Sequence, residues 1–239
     1  RSYCEAISIS SFLRSILYVI PTCHNPTGIT MSIERRKELI EIASQYDLLV
    51  IEDDPYRPIA VDTPPPLKKF DQEGRVLYVG SFSKILAPGL RIGWIYGSKL
   101  ILDKLALLEQ LDFAVSTFTQ YVVVEALRSG LISRLIPKLT NHYKSKMHIM
   151  YESLENYMPS NVKWINSARG FFLLVRVTGV DMEGLLTKAI DHGVVYVPAR
   201  RFFTNGKHSD AIRLSVSLSN EENIKKGVWL LSSLIKSVH

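Results

Sequence analysis

Short apolar runs, each ending in turn-forming or chemically active residues, recur through the first hundred positions. They occupy residues 16–20, 48–51, 76–79 and 92–96. Runs of this length rich in Val, Ile and Leu are typical of strands, and continuous apolar runs are typical of strands buried on both faces. One helix or a long loop separates successive runs. The pattern therefore predicts an α/β fold with a mostly parallel sheet.

The first interval between these runs carries the signals of a helix start. Ser32 is placed as an N-cap, and Glu34 follows in the first turn, where a carboxylate favours the helix dipole. The spacing predicts a helix to about Tyr46. Leu39, Ala43 and Tyr46 fall on one face of this helix, as in an amphipathic helix with a buried apolar face.

The second half of the chain changes character. Helical patterning dominates residues 100–157, and mixed elements follow. We predict strands at 170–177, 194–197 and 211–216, and helices at 181–191 and 221–236. We place a domain boundary near residue 140. Residues 1–140 would form an incomplete large domain with the mostly parallel sheet, and residues 141–239 a smaller α+β C-terminal domain.

Composition and charge narrow the function classes. The chain has 239 residues, 46% hydrophobic and 22% charged, which is ordinary globular usage. The net charge is +6, but the Lys and Arg residues are interspersed with Asp and Glu and form no basic run. We therefore expect no nucleic-acid partner from this segment. Cys4 and Cys23 lack the spacing of a disulfide framework or zinc site, which favours a reduced, cytoplasmic setting. Arg14 interrupts the apolar segment 12–21, so we expect neither a secretory signal nor a membrane span.

Three loops that follow predicted strands carry unusual polar residues. Loops at the carboxyl ends of parallel strands are where α/β proteins build binding sites. The first loop has an asparagine before a proline, the second has acidic residues and a tyrosine, and the third has serines, a lysine and an arginine. In order, these residues are Asn25; Glu52, Asp53, Asp54 and Tyr56; and Ser81, Ser83, Lys84 and Arg91.

These loops together resemble the fold-type I pyridoxal-phosphate enzymes, specifically the class I/II aminotransferases. The matching text is PTCHNPTG (21–28), IEDDPY (51–56), SFSKILAPGLRIGW (81–94) and AIRLSVS (211–217). The set most resembles the branch with 2-aminoadipate, kynurenine and aromatic aminotransferases, and aminotransferase-like domains of bacterial transcription regulators share it. The resemblance covers essentially the whole chain.

The resemblance implies roles for the loop residues. Lys84 stands at the position of the lysine that carries pyridoxal phosphate as a Schiff base and moves the substrate's proton. Asp53 stands where a carboxylate keeps the pyridine nitrogen protonated, although one acid of the three suffices and Glu52 or Asp54 could be turn residues. Asn25 and Tyr56 match the donors to the phenolic oxygen, and Tyr56 joins the catalytic set.

Phosphate and substrate contacts follow from the same resemblance. Ser81, Ser83 and Arg91 match the phosphate-binding residues, since the arginine fork can donate two parallel hydrogen bonds. Arg213 matches the arginine that binds the substrate α-carboxylate, and Asn25 also lies at a substrate-binding position. Rivals for substrate contact are Arg169, Arg200 and Arg201; Arg169 and Ala199 stand where the family usually has glycine.

The resemblance also implies what the chain would need. Family members carry a long segment before the first strand, with part of the sheet, most of the phosphate-binding loop and an aromatic residue that stacks on the cofactor. We expect an N-terminally truncated piece of a homodimeric aminotransferase, acting on amino acids and 2-oxo acids and retaining its cofactor weakly. Open alternatives are a pyridoxal-phosphate lyase or synthase, the effector-sensing half of a transcription regulator, and a degenerate remnant.

Overall fold

The computed structural model describes residues 15–112, 115–165 and 170–238, which divide into two compact units. The first unit comprises residues 15–21, Met31–Pro58 and Asp62–Ser133, and the second comprises Thr22–Thr30, Ile59–Val61 and residues 134–238. The short segment after the first strand thus belongs with the C-terminal part. The domain boundary near residue 140 stays a prediction.

The first unit is built on a four-stranded sheet. The strands are β1 (Ile16–Val19), β2 (Leu49–Asp53), β3 (Val76–Ser81) and β4 (Gly93–Tyr96), and the helices are α1 (Ile33–Gln45), α2 (Lys99–Glu109) and α3 (Thr117–Arg128). The order across the sheet is β1-β2-β3-β4. β1, β2 and β3 are parallel, and β4 is antiparallel to β3. The predicted α/β class with a mostly parallel sheet is confirmed.

Helix α1 begins as the sequence predicts and ends one residue earlier. The Ser32 side chain accepts a hydrogen bond from the Arg35 backbone N–H, and Glu34 lies in the first turn. Ala43 is buried and Leu39 packs against the same core. Tyr46 is 65% exposed and lies at the C-cap, so its predicted place on the buried face is wrong. The backbone leaves the helix at Tyr46, which turns its side chain away from that face.

Burial on both faces, predicted for β1, is wrong. Ile16 and Tyr18 are 62% and 56% exposed. β1 lies at the edge of the sheet, and in the described residues only one of its faces is covered. β2 alternates in the same way, with Val50 buried and its neighbours half-buried. One apolar cluster of this unit has the buried members Ala43, Val50, Leu67 and Val76.

A fully buried ion pair lies beside this cluster. Arg36 and Glu52 both have fully buried side chains, and 3.7 Å separates Arg36 Nη1 from Glu52 Oε1. The Glu52 carboxylate accepts hydrogen bonds from the backbone N–H groups of Leu67 and Lys68, at 2.7 and 2.8 Å. Buried charges persist when paired and hydrogen-bonded in this way. The pair therefore fastens the proline-rich loop before Leu67 to β2.

The second unit contains an antiparallel sheet with the order β5-β6-β8-β7. Its strands are β5 (Val162–Trp164), β6 (Phe172–Val177), β7 (Val197–Pro198) and β8 (Ala211–Ser215). Helix α4 (Leu131–Tyr157) spans the division between the units, and α5 (Leu186–Asp191) and α6 (Glu221–Lys236) follow. The last helix has the predicted bounds. β5 is a strand that the pattern did not predict.

Two predicted elements in this unit are shorter than expected. The helix predicted from residue 181 starts at Leu186, because residues 181–185 form turns around Gly184, a weak helix former. The strand predicted from residue 194 is reduced to Val197–Pro198. The Val194 N–H bonds to Ala189 O and closes the end of α5, so it is not available to the sheet.

The second unit has an extensive apolar core. It includes Leu154, Val175, Ile212 and Ile235, all fully buried. These residues come from α4, β6, β8 and α6, so the helices cover the sheet with apolar side chains. Within the described ranges, no helix has the length and apolar character needed to cross a membrane.

We predict that Glu52 makes stability fall with rising pH. Burial raises the pKa of its carboxyl from 4.5 to about 7, against the lowering effect of the Lys68 and Leu67 N–H donors. The folded state then binds a proton more tightly than the unfolded state, so this stabilisation is complete below pH 4.5 and is lost as pH rises through 7. Relative to Glu52→Gln, the wild-type free energy of unfolding should fall by about 2–3 kcal/mol across that window.

Urea unfolding at several pH values measures this difference. Glu41→Gln, which changes an exposed carboxylate on the same helix as Arg36, is the matched control and should track the wild type. Parallel stability curves for wild type and Glu52→Gln would contradict the prediction.

Candidate functional site

The first unit gathers candidate residues at the carboxyl ends of its parallel strands. The Tyr18 hydroxyl on β1 donates a hydrogen bond to the Asp53 carboxylate at the end of β2. Burial and this hydrogen bond raise the pKa of the Tyr18 phenol above its usual value, with the negative charge of Asp53 and Tyr56 nearby contributing. Tyr18 therefore keeps its proton and stays a donor to Asp53.

The three consecutive acids at the end of β2 have different surroundings. Glu52 is buried with Arg36. Asp54 is 1% exposed, lies 3.4 Å from Arg57 Nη1 and accepts a 3.4 Å hydrogen bond from the Tyr78 hydroxyl. Asp53 lies between them and is half-buried. Alternation of side chains along a strand explains this separation, and it leaves Asp53 as the acid that faces the open side of the sheet.

Lys84 lies just beyond β3, on a 3₁₀ turn formed by Phe82–Lys84. The Ser81 side chain caps this turn by accepting a 3.1 Å hydrogen bond from the Ser83 N–H. Lys84 Nζ lies 5.7 Å from the centre of the Tyr56 ring. Tyr56 is itself 6% exposed and interacts electrostatically with Tyr18. The structure thus links Asp53, Tyr18, Tyr56 and Lys84 in one cluster.

The remaining residues predicted for phosphate share the loop of Lys84. The Phe82 N–H donates to Ile92 O at 3.1 Å and closes the loop onto the start of β4. Arg91 lies within this closed loop, in the left-handed region at φ 54°, and its side chain is exposed. Ser81, Ser83 and Arg91 are therefore held on one loop with the lysine.

The second unit holds the other predicted residues, and it brings them into direct contact. Arg213 on β8 donates from Nη1 to Asn25 Oδ1 at 2.9 Å. Asn25 precedes a cis proline in the segment Thr22–Thr30. Two backbone bonds close this segment: His24 N–H donates to Ile29 O at 2.9 Å, and Gly28 N–H donates to His24 O at 2.6 Å.

Two aromatic rings flank the Arg213 guanidinium. Its central carbon lies 4.5 Å from the Phe172 ring centre and 5.3 Å from that of Phe202. Rings at this distance attract a cation and restrict the orientation of its planar fork. Arg213 is thus a half-buried, oriented cation, as a carboxylate-binding residue requires.

The rival arginines have different surroundings. Arg200 is exposed and forms a 3.4 Å ion pair with Glu183. Arg201 is also exposed, and Arg169 lies outside the described residues. Ala199, where the family usually has glycine, is fully buried. Of the substrate candidates Arg200, Arg201 and Arg213, Arg213 is the one flanked by two aromatic rings.

Sequence reasoning missed four residues that shape these clusters. In the sequence Tyr18 is one more member of the apolar run 16–20. Its hydroxyl group near the end of a predicted strand was the one signal of a role in the site. Phe172 and Phe202 required knowledge of which strands and turns are neighbours. Gly170, at φ 76°, leaves no room for a side chain, since a Cβ there would lie 2.7 Å from Cys23 Cβ.

Comparison with known proteins gives these clusters a context. The family model for aminotransferases of class I and II matches residues 5–228. Aromatic-amino-acid aminotransferase 1 of Thermococcus litoralis is 40% identical over 225 residues, covering 92% of this chain and 54% of that protein. The uncharacterized HTH-type transcriptional regulator YdfD of Bacillus subtilis is 35% identical, covering 94% of this chain and 47% of the regulator.

Solved structures agree in fold. The kynurenine aminotransferase of Pyrococcus horikoshii, solved in complex with PMP, is 36% identical with a TM-score of 0.90, covering 98% of this chain and 59% of that one. The chain spans about half the length of the curated relatives it matches. Since the family model covers nearly the whole sequence, this chain belongs to the class I and II aminotransferase family.

Proposed function

We propose that this chain carries the pyridoxal-phosphate site and the substrate-carboxylate residue of an aminotransferase, which moves an amino group between an amino acid and a 2-oxo acid. The observation that carries the proposal is the cluster of Asp53, Tyr18, Tyr56 and Lys84 at the carboxyl ends of the parallel strands. It combines an amine, an accessible carboxylate and two phenols, the groups that this cofactor needs. Family membership supports the same conclusion.

The residues of the first unit fit the cofactor by their chemistry. When bound, pyridoxal phosphate would supply an electron-withdrawing ring that stabilises negative charge at the substrate α-carbon. Asp53 supplies the negative charge that keeps a pyridine nitrogen protonated, and Tyr18 orients its carboxylate. Lys84 would supply the amine that holds the cofactor's aldehyde, and the same amine would move the proton at the substrate α-carbon. Tyr56 and Asn25 donate to the phenolic oxygen.

The phosphate and substrate residues complete the proposal. Ser81, Ser83 and Arg91 offer two hydroxyls and a guanidinium on one closed loop, which suits a phosphate group. Arg213 binds the α-carboxylate of the substrate with its fork, and Asn25 holds that fork from one side. The flanking rings of Phe172 and Phe202 keep the guanidinium in place while substrate binds.

A second candidate function has specific support. The relative YdfD is described as a transcriptional regulator, and this chain covers nearly half of it. The same cofactor residues would then sense an effector amino acid, and a DNA-binding module would lie elsewhere in the protein. The two functions differ in turnover: with an amino acid and 2-oxoglutarate, an aminotransferase forms the new amino acid catalytically, whereas a sensor does not. Analysis of the products formed over many turnovers distinguishes an aminotransferase from a sensor. The same analysis distinguishes an aminotransferase from a pyridoxal-phosphate lyase, because a lyase would form different products.

Assembly and location belong to the same proposal. We expect a homodimer that uses both amino-acid and 2-oxo-acid substrates. We expect it in the cytoplasm, because the two cysteines lack the spacing of a disulfide framework. Size-exclusion chromatography with light scattering tests the dimer.

We predict that the cofactor is attached at Lys84. Borohydride reduction of the cofactor-loaded protein, followed by peptide mapping, should place the pyridoxyl label on Lys84. Lys84→Arg should abolish labelling, whereas Lys99→Arg, which changes an exposed lysine paired with Asp103, should leave it unchanged. A label on another lysine of the loaded protein would refute the assignment.

We predict that substitution of Asp53 lowers activity, whereas substitution of Asp54 lowers stability. Asp53→Asn removes the charge from the open side of the sheet, so transamination should fall at least about a hundredfold, while the free energy of unfolding changes by less than about 0.5 kcal/mol. Asp54→Asn weakens a buried pair with Arg57 and should cost about 1–3 kcal/mol of stability. Chemical unfolding and steady-state kinetics measure both; the reverse pattern would show that Asp54 faces the cofactor.

We predict that Arg213 binds the substrate carboxylate. A charge-assisted hydrogen bond contributes about 1.5–3 kcal/mol, and the fork makes two, so Arg213→Ala should lower kcat/KM at least about a hundredfold. Cofactor binding should change little. Arg176→Ala, which removes an exposed strand arginine paired with Asp210, is the matched control. If Arg213→Ala keeps its activity and Arg200→Ala loses it, Arg200 rather than Arg213 binds the substrate carboxylate.

A further inference from the structure

Arg36 is a fully buried arginine with backbone oxygens on three sides. Its Nη2 donates to Pro21 O at 2.7 Å, its Nε to Met31 O at 3.0 Å, and its Nη1 to Pro65 O at 3.3 Å. All of these residues belong to the first unit. A guanidinium has five N–H donors in a fixed plane, so it can hold several carbonyls in one arrangement, which a lysine cannot do.

Two of these carbonyls occupy a particular place in the chain. Pro21 and Met31 are the residues that immediately precede and follow the segment Thr22–Thr30. The Met31 N–H also donates to Pro21 O at 2.8 Å, so both ends of the segment meet at the Arg36 guanidinium. Asn25 lies within this segment.

We propose that Arg36 is a positioning residue: by holding Pro21 and Met31 together it fixes the two ends of the segment 22–30, which carries Asn25. The segment between the two ends has nine residues, and its internal backbone bonds fix its shape but not where its ends are held. The role of Asn25 toward cofactor and substrate rests on the proposed function. The anchoring of the segment by Arg36 does not.

The Glu52 carboxyl group is the acidic partner of Arg36, 3.7 Å from its Nη1. Glu52 lies one residue before Asp53, and its own oxygens are held by the Leu67 and Lys68 N–H groups. The same guanidinium thus contacts the ends of the Asn25 segment and the strand that carries Asp53. A buried arginine without this carboxylate would be costly, since an unpaired buried charge strongly destabilises a fold.

Hydrogen–deuterium exchange of the backbone tests the proposal without any cofactor. The reporters are the amides of His24, Gly28 and Met31, each bonded to a backbone oxygen. In Arg36→Lys, exchange across residues 22–31 should accelerate at least about tenfold, while β2 and β3 change much less. The double variant Arg36→Met with Glu52→Gln removes both charged groups, so it leaves no unpaired buried charge and serves as a second test if Arg36→Lys fails to fold. It should accelerate exchange of the same amides.

The matched control is Arg35→Lys. Arg35 is the neighbouring arginine on α1, is exposed, and pairs with Glu38 on the surface. Its replacement should leave the exchange of residues 22–31 unchanged. Unchanged protection of these residues in the Arg36 variants would overturn the proposal. Equal acceleration in β2 and β3 would also overturn it, because Arg36 would then serve only the stability of the whole unit.

A second measurement reports on Asn25 in the cofactor-loaded protein. The pH at which the visible absorption of the bound cofactor changes depends on the donors to its phenolic oxygen, so it should shift by about half a unit or more in Arg36→Lys and not in Arg35→Lys. An unchanged absorption profile together with accelerated exchange would overturn the link to Asn25. Failure of Lys84 to carry the cofactor refutes the proposed function alone, since the exchange result stands without it.

Discussion

Alternation of side chains at the end of β2 is the constraint on which both the fold and the site of the first unit depend. Glu52 and Asp54 point to the covered side and are buried, whereas Asp53 points to the open side. A shift of one residue would place Asp53 in the core and expose its two neighbours. The strand register therefore decides which carboxylate is structural and which is available for chemistry.

Buried polar groups hold several loops of this unit. Arg36 and Glu52 lie beside the cluster of Ala43, Val50, Leu67 and Val76, and together they have five backbone partners: Pro21, Met31, Pro65, Leu67 and Lys68. Hydrogen bonds are directional, so they fix where a loop begins and ends, which apolar contacts do less well. The burial that makes Glu52 hold its proton more tightly is thus a consequence of how the loops are fastened.

The sequence predicts those parts of the fold and site that depend on neighbouring residues. The cap of α1 at Ser32, the bounds of Glu221–Lys236 and the polar loops after the parallel strands all follow from local signals. Tyr46, the exposed face of β1 and the short strand Val197–Pro198 depend on which surfaces are covered and which backbone groups are already bonded. Arg36 escaped notice for the same reason, because its partners are distant in sequence and are backbone atoms.

Relatives of this chain include both an aminotransferase and a protein described as a transcriptional regulator. Under the proposed function, an amino-acid sensor and an enzyme would both use the amine of Lys84, the carboxylate of Asp53 and the guanidinium of Arg213. Arg213 is oriented by Asn25, Phe172 and Phe202, which restricts it to one planar arrangement before a ligand arrives. Such preorganisation favours recognition of an α-carboxylate in either case, because less conformational freedom is lost on binding. Under the proposed function, sensing and turnover would differ in how freely Lys84 moves a proton, and turnover of a bound amino acid measures that difference.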